Sequence, residues 1–589
     1  MRRSLAALLS AGMLGAAAPA VPASAATTSS GHCARQSAIQ VPGAGKQLVT
    51  CVADLSLPQL VAQGLTDASD WAGLAALGTK NPVAGPGLQV DGYFADDDST
   101  LNAEHGWSHD SQFVIRLPDH WNGKLVVTGA PGVRKQYADD QIFSDWFLAR
   151  GYAYASIDKG NSGVSFYDNA SRSGPGQPQQ EWNYRVTELT KAVKQVVQQR
   201  YGHRPARTYM TGISNGGYLT RWQLENRPDL YDGGVDWEGT LFLAAGPNVL
   251  TYLPTAIKNY PTYAATGSKA AHDAIIKAGF APGSEFLWRD HETEYWDLTQ
   301  RTYRESFDPT YDGALKAGIP FCASGTPNCD ADYNYAKRPA AVHRAVGSVS
   351  LTGKIGKPML TLHGGLDALL PIRTDSDVYI PMVRNAGRGA LSRYYVIQAG
   401  NHVDGRYDLF PNQLRPILPC YRSAFADLEL WVERGTAPPT SQSVAKPNSG
   451  DVVNSCSQLA PRSVRTASTT TAASPTGSGT TGGTAAGTTS GSSTTGTTGT
   501  GSGAVNNASD SRSLAATGLN GAVSAVGLLA LLSTGLLYRR AAPDQIVGSS
   551  AGGLALGGGD VHPAGSEGPG HDVTLRRDVA ALDDIGCTC

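Results

Sequence analysis

Charge is what this sequence has least of. Charged residues are 17% of the 589, and the formal net charge is −2. No basic stripe with interleaved aromatics occurs, which excludes nucleic acid as an expected partner. The eight cysteines never form a C-x-x-C unit with a second such pair, which excludes a zinc site. Asp96-Asp97-Asp98 lacks the glycine and glutamate of an EF-hand loop and reads as a solvated acidic turn. Glu104, His105 and His109 read as surface residues, so no metal is expected. Regular periodicity is also missing from residues 27–110, which read as loop and turn material, most clearly at 82–89 and 96–98.

Aromatic side chains, by contrast, are well represented, with 24 tyrosines and 10 tryptophans. Few charges and many aromatics suit an extracellular protein that handles neutral or aromatic ligands. Met1-Arg2-Arg3, an apolar alanine-rich run and Ala23-Ser24-Ala25 predict a secretory signal peptide over residues 1–25. The cysteines agree with export. Cys33 and Cys51, Cys322 and Cys329, and Cys420 and Cys456 form three local pairs that read as disulfides in an oxidising compartment.

From residue 111 the pattern alternates between strands and helices. Strands are expected at 112–118, 125–128, 152–157, 208–211, 240–245 and 357–363, with a final one at 392–398. Helices are expected at 140–150, 182–201, 218–226 and 375–385, with a closing helical region at 411–435 and a short turn at 233–235. Such alternation predicts an α/β fold, a mostly parallel sheet with helices on both faces. Residues 247–345 break the rhythm over far more chain than a strand-to-helix connection needs. They read as an aromatic-rich cap inserted into a catalytic domain at 26–460. Residues 461–513 are mostly Thr, Gly, Ser and Ala and predict a disordered tether. Residues 514–540 hold one hydrophobic helix, long enough to span a bilayer and ending in Arg539-Arg540. Residues 541–589 form a tail without an assigned role.

Gly212-Ile213-Ser214-Asn215-Gly216 lies between an expected strand and an expected helix. That is the G-x-S-x-G pattern of a nucleophile elbow, in which a strained turn presents the serine. A serine hydroxyl needs a general base oriented by an acid. Asp367 follows the strand at 357–363 and His402 follows the strand at 392–398, so Ser, Asp and His appear in the order the α/β-hydrolase fold uses. His363 shares a loop with Asp367 and reads as a supporting residue. Asp375 and Asp377 read as a helix N-terminal turn, and Asp404 as a turn residue. Oxyanion donors are expected from the backbone N–H of Asn215 and of Gly129 or Ala130, because Pro131 has none.

Leu148-Ala-Arg-Gly-Tyr-Ala-Tyr-Ala-Ser-Ile-Asp158, Tyr209-Met-Thr-Gly-Ile-Ser-Asn-Gly-Gly217 and Arg227-Pro-Asp-Leu-Tyr-Asp-Gly233 are similar to the tannase and feruloyl esterase family. The elbow also resembles that of hydroxybutyrate-oligomer hydrolases. The resemblance implies ester hydrolysis through an acyl-enzyme on Ser214, with no cofactor. Tannases typically carry a cysteine beside the nucleophile and another beside the histidine. Here Ile213 and Asn401 stand there, which widens the implied substrates to other phenolic esters and hydroxyalkanoate oligomers. Leu514-Ala-Ala-Thr-Gly518 with the apolar span and Arg539-Arg540 resembles a sortase sorting signal. It implies cleavage between Thr517 and Gly518 and attachment to peptidoglycan, with the C-terminal span held in the membrane before processing; the tail that follows leaves a plain C-terminal membrane anchor as the alternative.

The expected function is that of a secreted, surface-displayed serine esterase acting on a small-molecule or oligomeric ester. Two other readings stay open: a serine peptidase on the same fold, and a wall-anchored binding protein without activity. Intact Ser214, Asp367 and His402 argue against the latter.

Overall fold

The computed structural model describes residues 38–95, 102–160, 176–309, 311 and 330–459. The expected signal peptide, tether, sorting signal and tail lie outside the described residues, as do Cys33, Cys322 and Cys329. One sheet organises the rest. Its strands are β1 (Ala44–Val52), β2 (Gly87–Phe94), β3 (Gln112–Pro118), β4 (Lys124–Gly129), β5 (Ala153–Ile157), β6 (Arg207–Ile213), β7 (Gly233–Trp237), β8 (Met359–Gly364), β9 (Ser392–Ile397) and β10 (Gln442–Val444). Their spatial order is β1-β2-β3-β5-β4-β6-β7-β8-β9-β10. The pairings among β1, β2, β3 and β5 are antiparallel, and every pairing from β5 to β10 is parallel. The swap of β4 and β5 within a parallel sheet that begins antiparallel is the α/β-hydrolase fold.

The described helices are α1 (Leu57–Ala62), α2 (Asp145–Leu148), α3 (Gln177–Tyr201), α4 (Asn215–Asn226), α5 (Val249–Thr266), α6 (Lys269–Lys277), α7 (Glu285–His291), α8 (Asp297–Phe307), α9 (Ala340–Gly347), α10 (Ser376–Asn385) and α11 (Leu418–Arg434). Successive strand residues point to opposite faces, and the sheet is buried on both. Leu125, Val127 and Met210 join one core with Val186 and Val193 of α3 and Leu219 of α4. Val126, Tyr209, Val235 and Leu360 join the other, with Phe147 of α2 and Phe425 of α11. Burying each such side chain contributes about 1.5–3 kcal/mol, so both helical layers are held firmly on the strands that carry the site.

The structure departs from the sequence expectations in four places. Residues 44–52 and 87–94 are strands, not loops. Both faces of β2 are buried: Leu88 and Val90 join the apolar core, and Gln89 and Asp91 face the other way. Both are satisfied by hydrogen bonds, from Arg116 Nε to Gln89 Oε1 at 2.9 Å and from the Tyr137 hydroxyl to Asp91 Oδ1 at 2.7 Å. The expected turn at 233–235 is the start of β7. Gly234 runs so close to β6 that a Cβ there would stand 2.7 Å from the Met210 carbonyl. The apolar run at 240–245 is not a strand: it is a loop, buried at 240–242, whose N–H groups find side chains and turns instead of a ladder. Leu241 donates to Asp375 Oδ2 at 2.8 Å and Ala244 to Ser350 Oγ at 3.1 Å. Finally, β9 is followed by one more parallel strand, β10.

Among the expected disulfides, Cys420–Cys456 is formed and ties the first turn of α11 to the end of the described chain. Cys51 is also disulfide-bonded.

Candidate active site

The site sits where β6 turns into α4. Ser214 occupies the junction with φ 59° and ψ −119°, a strained backbone that costs about 1–3 kcal/mol in a residue with a side chain. Packing holds it there. A Cβ on Gly212 would lie 2.3 Å from the Gly216 carbonyl carbon, and one on Gly216 would lie 2.5 Å from the Gly129 carbonyl oxygen. Only glycines permit this crossing. The Ser214 N–H donates to the Trp237 carbonyl at 3.0 Å, and its own carbonyl accepts the first bond of α4 from Tyr218 at 2.9 Å.

Asp367 and His402 come from the loops after β8 and β9, and the structure brings them together. His402 Nδ1 donates to Asp367 Oδ2 at 2.8 Å. The other oxygen of Asp367 accepts the N–H groups of Leu369 and Leu370, both at 2.8 Å. Burial alone would push this carboxyl up, but the charges and hydrogen bonds of His402 and His363 outweigh it and hold Asp367 below the usual carboxylate range. Burial works against charge on His402 too, yet Asp367 and then Glu238 raise the ring above the ordinary histidine value. That environment favours the imidazolium a general base becomes when it takes a proton. Among the described residues no hydrogen bond closes between Ser214 Oγ and His402; such bonds commonly tighten only around substrate.

His363 lies behind Asp367. Its Nε2 donates to the Leu370 carbonyl at 2.9 Å and stands 3.3 Å from Asp367 Oδ2, while Nδ1 shares a 2.7 Å hydrogen bond with Ser376 Oγ. Glu238, His363 and Asp367 each bring one potential ligand atom within 4.8 Å of the others. The imidazole nitrogens, however, are turned to oxygen partners of the protein, so the group is a hydrogen-bonded support for Asp367. Asp375 does more than begin a helix: it accepts from Arg221 Nη1 at 2.8 Å in a buried ion pair. Asp377 accepts from the Tyr394 hydroxyl at 3.0 Å. Asp404 is turned away from His402 and accepts the Ile417 and Leu418 N–H groups at the start of α11, at 2.6 and 2.8 Å.

The oxyanion expectation needs correction. The Ala130 N–H is committed to the Ile157 carbonyl at 2.9 Å as the sheet ends, so Ala130 has no donor to offer. Gly129 is the last residue of β4, its carbonyl packed over Gly216. Further along this loop, the Gly132 carbonyl accepts from Asn215 Nδ2 at 3.1 Å. Asn215, at the N-terminus of α4, is fixed further by the Thr240 hydroxyl at 3.1 Å and the Tyr303 hydroxyl at 2.6 Å, both donating to its Oδ1.

Tyr303 belongs to the helices between β7 and β8, and they reach the site elsewhere as well. Trp296 Nε1 donates to the Ala368 carbonyl, next to Asp367, at 2.7 Å. Arg406, just past His402, pairs with Asp290 at 3.3 Å and with Glu294. Sequence reading missed Tyr303, Arg221 and Glu238 as site residues. Tyr303 and Arg221 stand in amphipathic helical runs where nothing separates them from ordinary packing or surface positions.

Solved structures similar to this chain include a feruloyl esterase B from Aspergillus oryzae, at 14% identity, covering 69% of this chain and 90% of that one with a TM-score of 0.41. A tannin acyl hydrolase from Aspergillus niger aligns at 15% identity over 68% of this chain and 86% of that one, with a TM-score of 0.39. No curated protein matches. Residues 101–237, which run from β3 through the elbow to the end of β7, match the family described as tannase and feruloyl esterase, and that match supports carboxylic-ester hydrolysis as the activity.

Proposed function

We propose that this protein is a secreted serine esterase that works through an acyl-enzyme on Ser214. The observation that carries the reading is the His402–Asp367 hydrogen bond, built from the loops after β8 and β9 of a sheet whose β6 ends in the strained Ser214. Ser214 Oγ attacks the ester carbonyl while His402 Nε2 takes its proton, and Asp367 holds the Nδ1–H and the charge that develops. The backbone N–H of Asn215, the residue after the nucleophile, is the oxyanion donor in this reading. Collapse expels the alcohol, which receives the proton from His402. Water then attacks the acyl-enzyme by the same route and frees Ser214.

The match over residues 101–237 favours phenolic esters of the feruloyl or tannin kind as substrate, with hydroxyalkanoate oligomers next, and the aromatic helices between β7 and β8 serve as the cap that selects among them. The signal peptide, the tether and Leu514-Ala-Ala-Thr-Gly518 favour export and attachment to peptidoglycan by a sortase, which would hold Ser214 outside the membrane. The purified protein is expected to hydrolyse short p-nitrophenyl acyl esters and to be labelled by a fluorophosphonate. Ser214→Ala should lower kcat by about 10⁴-fold or more and abolish labelling. Substantial hydrolysis by that variant would overturn the reading. Rates on methyl ferulate, methyl gallate, hydroxybutyrate oligomers and peptides then identify the substrate class.

A further inference from the structure

A serine–histidine–acid relay uses one acid, yet two carboxyls converge on His402. Glu238 is the residue after β7, one strand further from the histidine loop than β8, and it carries one methylene more than the aspartate after β8. That extra reach helps it span the added strand, about 4.8 Å of sheet. Its backbone is left-handed, with φ 51°, a conformation few residues with a side chain adopt. Its N–H donates to the Leu362 carbonyl at 2.9 Å, and its Oε1 accepts the Gly364 N–H at 2.6 Å. The remaining oxygen, Oε2, is buried, makes no hydrogen bond, and stands 3.3 Å from the same Nδ1 that Asp367 holds at 2.8 Å. A carboxyl kept only for packing would leave no oxygen stranded against the catalytic ring, since an unsatisfied buried polar atom is costly.

We propose that Glu238 is a second acid for His402, a positioning residue that shares the Nδ1–H and takes over when Asp367 is neutralised. The inference rests on the reading of Ser214 and His402 as nucleophile and base. The groups facing Glu238 are Asp367, His402 and His363. Two carboxylates this close do not both ionise readily, and burial first, then the charge of Asp367, raise Glu238 to about 8. In the resting enzyme Asp367 is therefore the carboxylate and Glu238 holds its proton. Removing the Asp367 charge lowers Glu238: its carboxyl gives its proton to solvent, and the carboxylate so formed accepts the imidazole Nδ1–H. No other bond changes.

The test compares the full chain with Asp367→Asn, Asp367→Asn/Glu238→Gln and Ser214→Ala, measuring kcat/KM on p-nitrophenyl acetate across the pH range and folding by far-ultraviolet circular dichroism. Loss of a sole acid costs about 10⁴-fold. Asp367→Asn is expected to lose only about 10- to 100-fold, and the double variant to fall to the full loss. In Asp367→Asn the activity should also rise with pH through the ionisation of Glu238, a limb the double variant lacks. Equal rates for single and double variants would overturn the inference. If the double variant does not fold, Asp367→Asn/Glu238→Asp, which keeps the charge but draws it back by a methylene, must fall below Asp367→Asn, and equality there overturns it too. An active Ser214→Ala would instead sink the underlying serine reading, so the two failures are distinct.

Discussion

Arg221→Met is the sharpest probe of how the scaffold holds the site. Arg221 is fully buried in α4 directly beneath the elbow. Its guanidinium donates to Asp236 Oδ2 at 2.6 Å, Asp375 Oδ1 at 2.8 Å and Ser376 Oγ at 2.9 Å. One cation thus serves two buried carboxylates on β7 and at the start of α10. Methionine fills much of the volume but leaves both without a counter-charge, a situation that costs about 3–5 kcal/mol. Neutral donors soften the loss: Asp236 keeps the Thr361 hydroxyl at 3.0 Å and the Gly239 N–H at 2.8 Å, and Asp375 keeps the Leu241 N–H at 2.8 Å. We expect about 4 kcal/mol near pH 8, read as a lower urea midpoint at unchanged slope. The pH dependence makes the test specific. Burial raises the folded Asp236 above the ordinary aspartate value even against the lowering by Arg221. Without the arginine it rises further. A carboxyl whose folded pKa lies above its unfolded one destabilises when ionised, and the penalty shrinks as pH falls through the folded value. The gap between wild type and variant should therefore narrow from about pH 8 to about pH 5, by about 1.4 kcal/mol for each unit the pKa has moved. A loss under about 1 kcal/mol at pH 8, or a gap that widens on acidification, would refute the assignment of Arg221 as the buried counter-charge.

Two further outcomes follow from single contacts. Tyr303→Phe removes the hydroxyl that donates to Asn215 Oδ1 at 2.6 Å; it should cost about 1 kcal/mol of stability and lower kcat/KM several-fold, and unchanged kinetics would show that the inserted helices do not position the elbow. Cys420→Ser with Cys456→Ser opens a bridge between residues 36 apart, a loop whose closure entropy corresponds to about 4 kcal/mol; a denaturation midpoint equal to wild type would show that the bridge does not stabilise the fold.

How much of this was legible depended on where the polar groups go. β4, β5 and β8 are buried on both faces and mostly apolar, β4 as a continuous run, β5 and β8 with Ser156, Thr361 and His363 among their residues, and sequence reading finds all three. Ser214 was legible because glycine at 212 and 216 answers a steric demand that no other residue meets. β2 escaped although Leu88-Gln-Val-Asp91 alternates, because the run is short and the polar Gln89 and Asp91 are buried through Arg116 and Tyr137, partners distant in sequence. β7 escaped for the opposite reason. Its glycines are required by the neighbouring backbone, and a Gly-Gly pair resembles a turn until that neighbour is known. The loop at 240–245 imitated a strand since its N–H groups are satisfied by Asp375 and Ser350, more than a hundred residues away. The same distance hides Glu238, which stands after a strand whose Gly-Gly start reads as a turn.

That distribution of partners also explains how one pocket holds two carboxyls in opposite protonation states. Asp367 is as deeply buried as Glu238, so desolvation does not separate them. Donor count does. Asp367 receives two backbone N–H groups and the His402 Nδ1–H, with His363 Nε2 at 3.3 Å. A carboxylate held by several donors stays ionised in a dry interior. Glu238 receives one N–H, from Gly364, while burial and then the charge of Asp367 raise it to about 8. The donors to Asp367 are themselves fixed from beneath the elbow. Ser376 Oγ, which meets His363 Nδ1, is held by Arg221 Nη2. A continuous chain of buried polar groups thus runs from Arg221 on α4 through Ser376, His363 and Asp367 to His402. Its first member lies on the helix that Ser214 begins and its last is the proposed base, so the elements that must face each other across the reaction are joined underneath it. Pairs of acids whose surroundings drive their protonation apart are a mark of acid–base sites, and here that separation is built by the fold itself.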